Sequence, residues 1–208
     1  MAKTTRSKPI TKVDHVCQFL IVLPKTDPLV WRRIQVPEGY TFWDLHVAIQ
    51  DAMGWKDYHL HEFIVVDSKT SRVKRVGIPD DEIPDERPCL AGWKVPIAGY
   101  LTYGADPVRY RYDFGDDWEH VLEFEELLPA GAGDYPRCVG GAGACPPEDV
   151  GGTTGYAEFL RTIRDRRPQT TSRRFQKTQG GSVKSRSDGS VLHRSGDKPT
   201  AHLPALGC

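Results

Sequence analysis

Two runs rich in β-forming residues, His15 to Leu23 (HVCQFLIVL) and Val30 to Val36 (VWRRIQV), are separated only by Leu29 and the turn Pro24-Lys25-Thr26-Asp27-Pro28. So short a link joins antiparallel neighbours, because a parallel crossover needs a dozen or more residues. A second pair, Val108 to Phe114 and Trp118 to Phe124, is joined by Gly115-Asp116-Asp117, a Gly-Asp turn between β-forming runs. A further strand is predicted over His59 to Asp67. Strands and helices therefore do not alternate as βαβ units. The fold class expected is α+β, a mainly antiparallel sheet of two hairpins plus one strand, packed by at least two helices.

The first helix has clear punctuation. Thr41 precedes Asp44 by three residues, Phe42, Leu45, Ile49 and Met53 recur at helical spacing, and Gly54 supplies a stop. A second, short helix is expected over Gly155 to Ile163, with Tyr156, Phe159, Leu160 and Ile163 as its buried stripe. Ser68 to Gly99, polar and acidic around Asp80-Asp81-Glu82, reads as a long surface connection. Tyr135 to Gly152 holds so many glycines and prolines that no regular element is expected there, so something else must fasten it.

The formal net charge of zero hides an asymmetry. Residues 13–160 carry 13 basic and 25 acidic residues, a net of −12, whereas residues 161–208 carry 11 basic and 3 acidic, a net of +8. So acidic a body repels phosphate backbones, and nucleic acid could be met only through the basic ends. The organisation expected is a basic arm over 1–12, an α+β domain over 13–165 and a low-complexity basic tail, disordered, over 166–208. No run approaches the roughly 18–20 apolar residues of a membrane span, and the start MAKTTRSKPITK lacks the apolar core of a secretory signal. No membrane partner and a cytoplasmic location are therefore expected, with the five scattered cysteines as reduced thiols or metal ligands.

Polar chemistry gathers in three places. His59 and His61 stand two apart on the expected strand, a spacing at which two imidazoles share a face and can chelate a metal. Asp113, Asp116, Asp117 and His120 crowd one tight turn and repel one another unless a cation or basic partner neutralises them; the plainer role is turn formation and backbone capping. Cys138 and Cys145 could fasten the glycine-rich segment by sharing a zinc with His59, His61 or His120, or simply as buried thiols; Glu148 and Asp149 read as caps. Arg32 and Arg33 fall on opposite faces of their strand, one of them placed for an ion pair with the acidic hairpin. No Gly-x-Ser-x-Gly, phosphate loop, dinucleotide fingerprint or helix-turn-helix pattern is present.

Taken together, VWRRIQVP at 30–37, AMGW at 52–55, HLHEF at 59–63, YDFGDDWEH at 112–120 and YPRCVGGAGACPPEDVGG at 135–152 resemble the Ri-plasmid open-reading-frame-three family, also called insertion-element passenger TnpR-like proteins. The resemblance runs from about His15 to Arg161 and implies an α+β domain of plasmids, insertion elements and chromosomes, without an established biochemical activity. Its motifs carry His59, His61, Asp113, Asp116, Asp117, His120, Cys138 and Cys145. Family members usually continue into an acidic helical ending, whereas this chain turns basic after Arg161; a shifted reading frame near residue 164 would produce that swing. The function expected is an accessory ligand- or metal-binding domain, with zinc as the candidate metal. A metal-dependent hydrolase or nuclease is the alternative, with His59, His61 and Cys or Asp ligands and with Asp116 or Asp117 activating water. DNA binding through residues 161–208, steeply weakened by salt, is the third reading.

Overall fold

Alternation along the first hairpin sends Phe19, Ile21 and Leu23 to one side and leaves Leu20 and Val22 on the other, so the sheet must have one face covered and one facing water. The computed structural model describes residues 13–67, 70–79, 88–101 and 106–165. Its strands are β1 (His15–Leu23), β2 (Val30–Pro37), β3 (His61–Val66), β4 (Val73–Gly77), β5 (Cys89–Ala91), β6 (Val108–Tyr112), β7 (Trp118–Pro129) and β8 (Arg137–Ala142); its α-helices are α1 (Phe42–Met53) and α2 (Gly152–Asp165). All eight strands form one sheet, ordered β5-β4-β3-β6-β7-β1-β2-β8. Every neighbouring pair is antiparallel except β4 and β5, which are parallel.

The fold is thus α+β with a mostly antiparallel sheet, but the sheet is not two hairpins plus one strand. Both expected hairpins are present, as β1–β2 and β6–β7, inside a mixed sheet of eight. The segment read as a surface connection contributes β4, β5 and two 3₁₀ turns, Gly92–Lys94 and Ile97–Tyr100. These strands are five and three residues long; β5 is the rim strand and β4, which pairs antiparallel with β3 across a short link, lies beside it, so pairing with neighbours rather than apolar alternation makes them extended. The segment over Tyr135 to Gly152 contains β8, at the opposite rim. Glycine is what lets β8 pair: a Cβ on Gly141 would lie 2.8 Å from Arg32 Cδ and 3.1 Å from the Trp31 carbonyl oxygen.

Helix α1 begins with a reciprocal cap, in which Asp44 N donates to Thr41 Oγ1 at 3.3 Å and Thr41 N donates to Asp44 Oδ2 at 2.9 Å. It ends at Gly54 with φ +74°. Its stripe of Phe42, Leu45, Ala48, Ile49 and Ala52 is buried in one core with Phe63, Tyr110 and Trp118 from the covered sheet face. The opposite face carries ion pairs, among them Arg75 and Arg111 on Glu62 and Arg33 on Glu125. Helix α2 departs from expectation. Tyr156 is buried and Leu160 half-buried, but Phe159 and Ile163 are exposed.

Arg32 fastens the glycine-rich segment. Its Nε donates to Ala52 O at the end of α1, Nη1 to Trp31 O, Ala142 O and Gly143 O, and Nη2 to Gly143 O and Cys145 Sγ, over 2.8 to 3.2 Å. Carbonyls left by the helix end and by the termination of β8 are satisfied by one planar fork. An Arg32→Met variant keeps the aliphatic stem and deserts those oxygens. It should lose about 2–3 kcal/mol of unfolding free energy, at the upper range for unpaired part-buried polar groups, in urea titrations followed by tryptophan fluorescence. A loss under about 0.5 kcal/mol, within the range of ordinary surface substitutions, would show that water replaces the guanidinium without penalty.

Candidate functional site

Three segments meet at one end of the sheet: the link 54–60 between α1 and β3, the β6–β7 turn, and the loop after β8. Trp55 Nε1 donates to Pro146 O at 2.8 Å and Lys56 N to Glu148 Oε1 at 2.8 Å, tying the first segment to the third. Asp113 N donates to Leu60 O at 3.0 Å, tying the second to the first. Gly151 N donates to Asp116 Oδ2 at 3.0 Å, closing the triangle. Gly152, with φ +65°, makes the close approach possible, since a Cβ there would sit 2.5 Å from Asp116 O.

His59 lies at the junction. Its Nε2 is 3.1 Å from Asp149 Oδ1, 3.6 Å from Asp113 Oδ2 and 4.0 Å from Glu148 Oε2. The nitrogen is shut off from water yet makes no hydrogen bond, because none of these oxygens lies in hydrogen-bonding alignment. The Asp113 side chain is only 10% exposed; its Oδ1 accepts from Gly115 N and Asp116 N at 3.0 and 3.3 Å, which leaves Oδ2 turned toward His59 with no hydrogen-bond donor among the described residues. Asp113 and Asp149 both hold left-handed backbone, with φ of 55° and 54°, a region Asp tolerates better than most residues. One ligand atom from each of His59, Asp113 and Asp149 falls within 4.8 Å of the others.

The other expected site residues lie elsewhere. His61 begins β3 and points into the core, its ring stacked on that of His46 at 3.5 Å and 8°. His59 precedes the strand and turns to the loop side, so the two imidazoles belong to different clusters. His46, Asp57 and His61 form the second cluster of metal-ligand type. There His46 Nε2 donates to Asp57 Oδ1 at 2.9 Å, the Tyr110 hydroxyl donates to His46 Nδ1 at 2.8 Å, and Gln50 Nε2 donates to that hydroxyl at 3.0 Å. His46 thus has both nitrogens occupied by hydrogen bonds within the protein. Asp116 is spent on Gly151, and Asp117 pairs with Arg111 at 2.8 Å.

Cys138 is disulfide-bonded, against the expectation of a reduced thiol or metal ligand, whereas Cys145 is a free thiol; both pack against the core, and no cluster able to hold a metal among the described residues contains a cysteine. Cys145 touches Met53 Sδ and Arg32, and burial raises its thiol pKa despite the nearby guanidinium. Among the described residues the Arg32 fork fastens this segment. Glu148 and Asp149, read as caps, are the carboxylates delivered to His59. Only the fixed pairing of loop and link brings them there, and no spacing in the sequence reports it.

His120 is entirely buried, with Nδ1 donating to Tyr110 O at 3.3 Å and Nε2 without a partner among the described residues. Burial pushes its pKa down from 6.5 to about 4. A depressed imidazole pKa means the unfolded chain binds the extra proton, so this contribution is complete above pH 6.5 and is lost as the pH falls toward 4. The loss amounts to about 3 kcal/mol. His120→Phe should flatten the acid limb of stability over that window in chemical denaturation at stepped pH; an unchanged limb would assign it to other groups.

The family of the plasmid pRiA4b ORF-3-like protein matches residues 15–182, past the point at Arg161 where the sequence changes character. An uncharacterized protein, y4hQ, of Sinorhizobium fredii (strain NBRC 101917 / NGR234) is 37% identical over 155 residues, 74% of this chain and 75% of its own. The crystal structure of a protein of unknown function, MM3350, from Methanosarcina mazei Go1 superposes with a TM-score of 0.68 at 41% identity, covering 74% of this chain and 84% of that one.

Proposed function

This chain belongs to the plasmid pRiA4b ORF-3-like family, and we propose that its domain is an accessory binder of one divalent metal ion, held by His59 Nε2, Asp113 and Asp149. The observation that supports this reading is the His59 nitrogen: dry, without a hydrogen bond, and faced by carboxylate oxygens at 3.1 and 3.6 Å. A proton on that nitrogen would be poorly aligned with either oxygen, whereas a cation between them needs no such alignment and offsets the repulsion of two carboxylates. One imidazole and two carboxylates without thiolate favour zinc or manganese over soft metals. Three protein ligands, with the exposed Asp149 on the solvent side, leave positions for water or a ligand, unlike the closed four-ligand shell of a structural zinc.

The remaining readings have less support. Among the described residues no helix is long and apolar enough to cross a membrane. The basic segment 166–208, offered for nucleic acid, lies outside the described residues, as does the arm 1–12.

Metal-free protein titrated with Zn²⁺ or Mn²⁺ by calorimetry should bind one equivalent. His59→Ala and Asp149→Asn should weaken binding by more than about 100-fold, since losing mere outer partners of a ligand costs about 10–100-fold. Cys138→Ala and Cys145→Ala should leave it intact. Binding that ignores His59, or none at all, would reduce the cluster to an ion-pair junction.

A further inference from the structure

Glu148 stands beside the His59 cluster but is held differently from its ligands. Its Oε1 accepts from Lys56 N at 2.8 Å and from the Tyr112 hydroxyl at 3.1 Å. Tyr58 N occupies the hydroxyl oxygen of Tyr112 at 3.1 Å, so the tyrosine proton is left to point at Glu148. The ring of Tyr112 is in turn stacked on Trp55 at 4.9 Å. Oε2 shares the Tyr112 hydroxyl at 3.3 Å and is the oxygen that faces His59 Nε2, at 4.0 Å. Glu148 is not among the residues whose ligand atoms all lie within 4.8 Å of one another, and such a set-back place suits a carboxylate that reaches the metal through its bound water. The side chain is 16% exposed and held in place by these contacts.

We propose that this centre is hydrolytic, with Glu148 as its general base and an uncharged carboxylic ester or amide as its substrate class; the inference rests on the metal reading above. Glu148 takes a proton from a water on the divalent ion, and the resulting hydroxide adds to the substrate carbonyl carbon. The carbon–oxygen or carbon–nitrogen bond to the leaving group then breaks, and Glu148 returns the proton to that group, yielding a carboxylic acid and an alcohol or amine. Asp116 and Asp117 are not available for this step, being engaged with Gly151 and Arg111.

Charge selects the substrate. Asp113, Asp149 and Glu148 bring three negative charges against two positive on the ion, so the loaded centre still bears a net negative charge within a body of net −12 (13 basic, 25 acidic over residues 13–160). Arg111, the nearest guanidinium on the turn, is consumed by Glu62 and Asp117, and the Lys56 ammonium lies over the Tyr58 ring. No clamp for a phosphodiester remains among these groups. The neighbours of the ligand residues are instead apolar and exposed: Tyr58 and Leu60 on either side of His59, and Phe114 after Asp113. Such a rim suits an acyl compound with an apolar or aromatic portion.

The full chain, loaded with Zn²⁺ or Mn²⁺ and freed of excess, is assayed on p-nitrophenyl butyrate, an N-acyl p-nitroanilide and bis(p-nitrophenyl) phosphate, with calorimetric metal affinity measured alongside. Metal-dependent cleavage of the ester or anilide is expected, with the phosphodiester at least tenfold slower. Glu148→Gln, which preserves the acceptor for Lys56 N, should keep metal affinity within about threefold and lower kcat about 100-fold or more. Stoichiometric metal without acyl hydrolysis, or a Glu148→Gln rate equal to that of the parent, overturns the hydrolytic assignment and leaves the metal site standing. Preferential phosphodiester cleavage overturns the substrate class. Failure to bind metal removes both readings.

Discussion

A single guanidinium governs where the loop after β8 can go. The stretch 140–152, from the end of β8 through that loop, has five glycines that bring no side chain to pack, and its backbone oxygens would otherwise be left part-buried and unpaired. Arg32 gathers them to the end of α1, so the route of the chain from β8 to α2 is set by hydrogen bonding instead of side-chain packing. Glu148 and Asp149 arrive beside His59 only because that route is fixed, with Trp55 and Lys56 gripping the loop from the far side. Catalytic or binding carboxylates borne on an irregular segment gain their accuracy in this way from a rigid support.

The cluster at His59 and the cluster at His46 show how burial divides similar residues between two roles. Around His46 every polar atom of Asp57, Tyr110 and Gln50 that takes part finds its complement, so a set of titratable groups becomes core. Around His59 the same kinds of groups meet without complementing one another, with two carboxylates turned on an imidazole nitrogen that makes no hydrogen bond. Like charges brought together by the fold therefore mark a site more sharply than the residue types do.

Legibility in the sequence followed the range of the interaction. Helix α1 could be read with its cap and stop because Thr41, Asp44 and Gly54 act within a few residues, and both hairpins could be read because their turns are local. Strands β4, β5 and β8 could not: β4 pairs with β3 across a short link but sits in a polar stretch without the alternation of a core strand, β5 is only three residues long, and β8 is held by β2, far along the chain. The HLHEF motif was legible as chemistry but not as geometry: β3 starts at His61, two residues later than the pattern suggested, and this separates the imidazoles. Asp113 was legible both as a turn former and as a candidate ligand, and its two carboxylate oxygens are placed for one role each.

Both margins of the sheet end in strands ill suited to recruiting another chain. β5 offers three residues, and β8 has only six, two of them glycines, with Gly141 pressed so close to Arg32 that no side chain fits there. A growing cross-β stack needs a long, flat, apolar template, and neither border supplies one. The sparse strands that were hardest to foresee thus also act as buffers against self-association of an eight-stranded sheet.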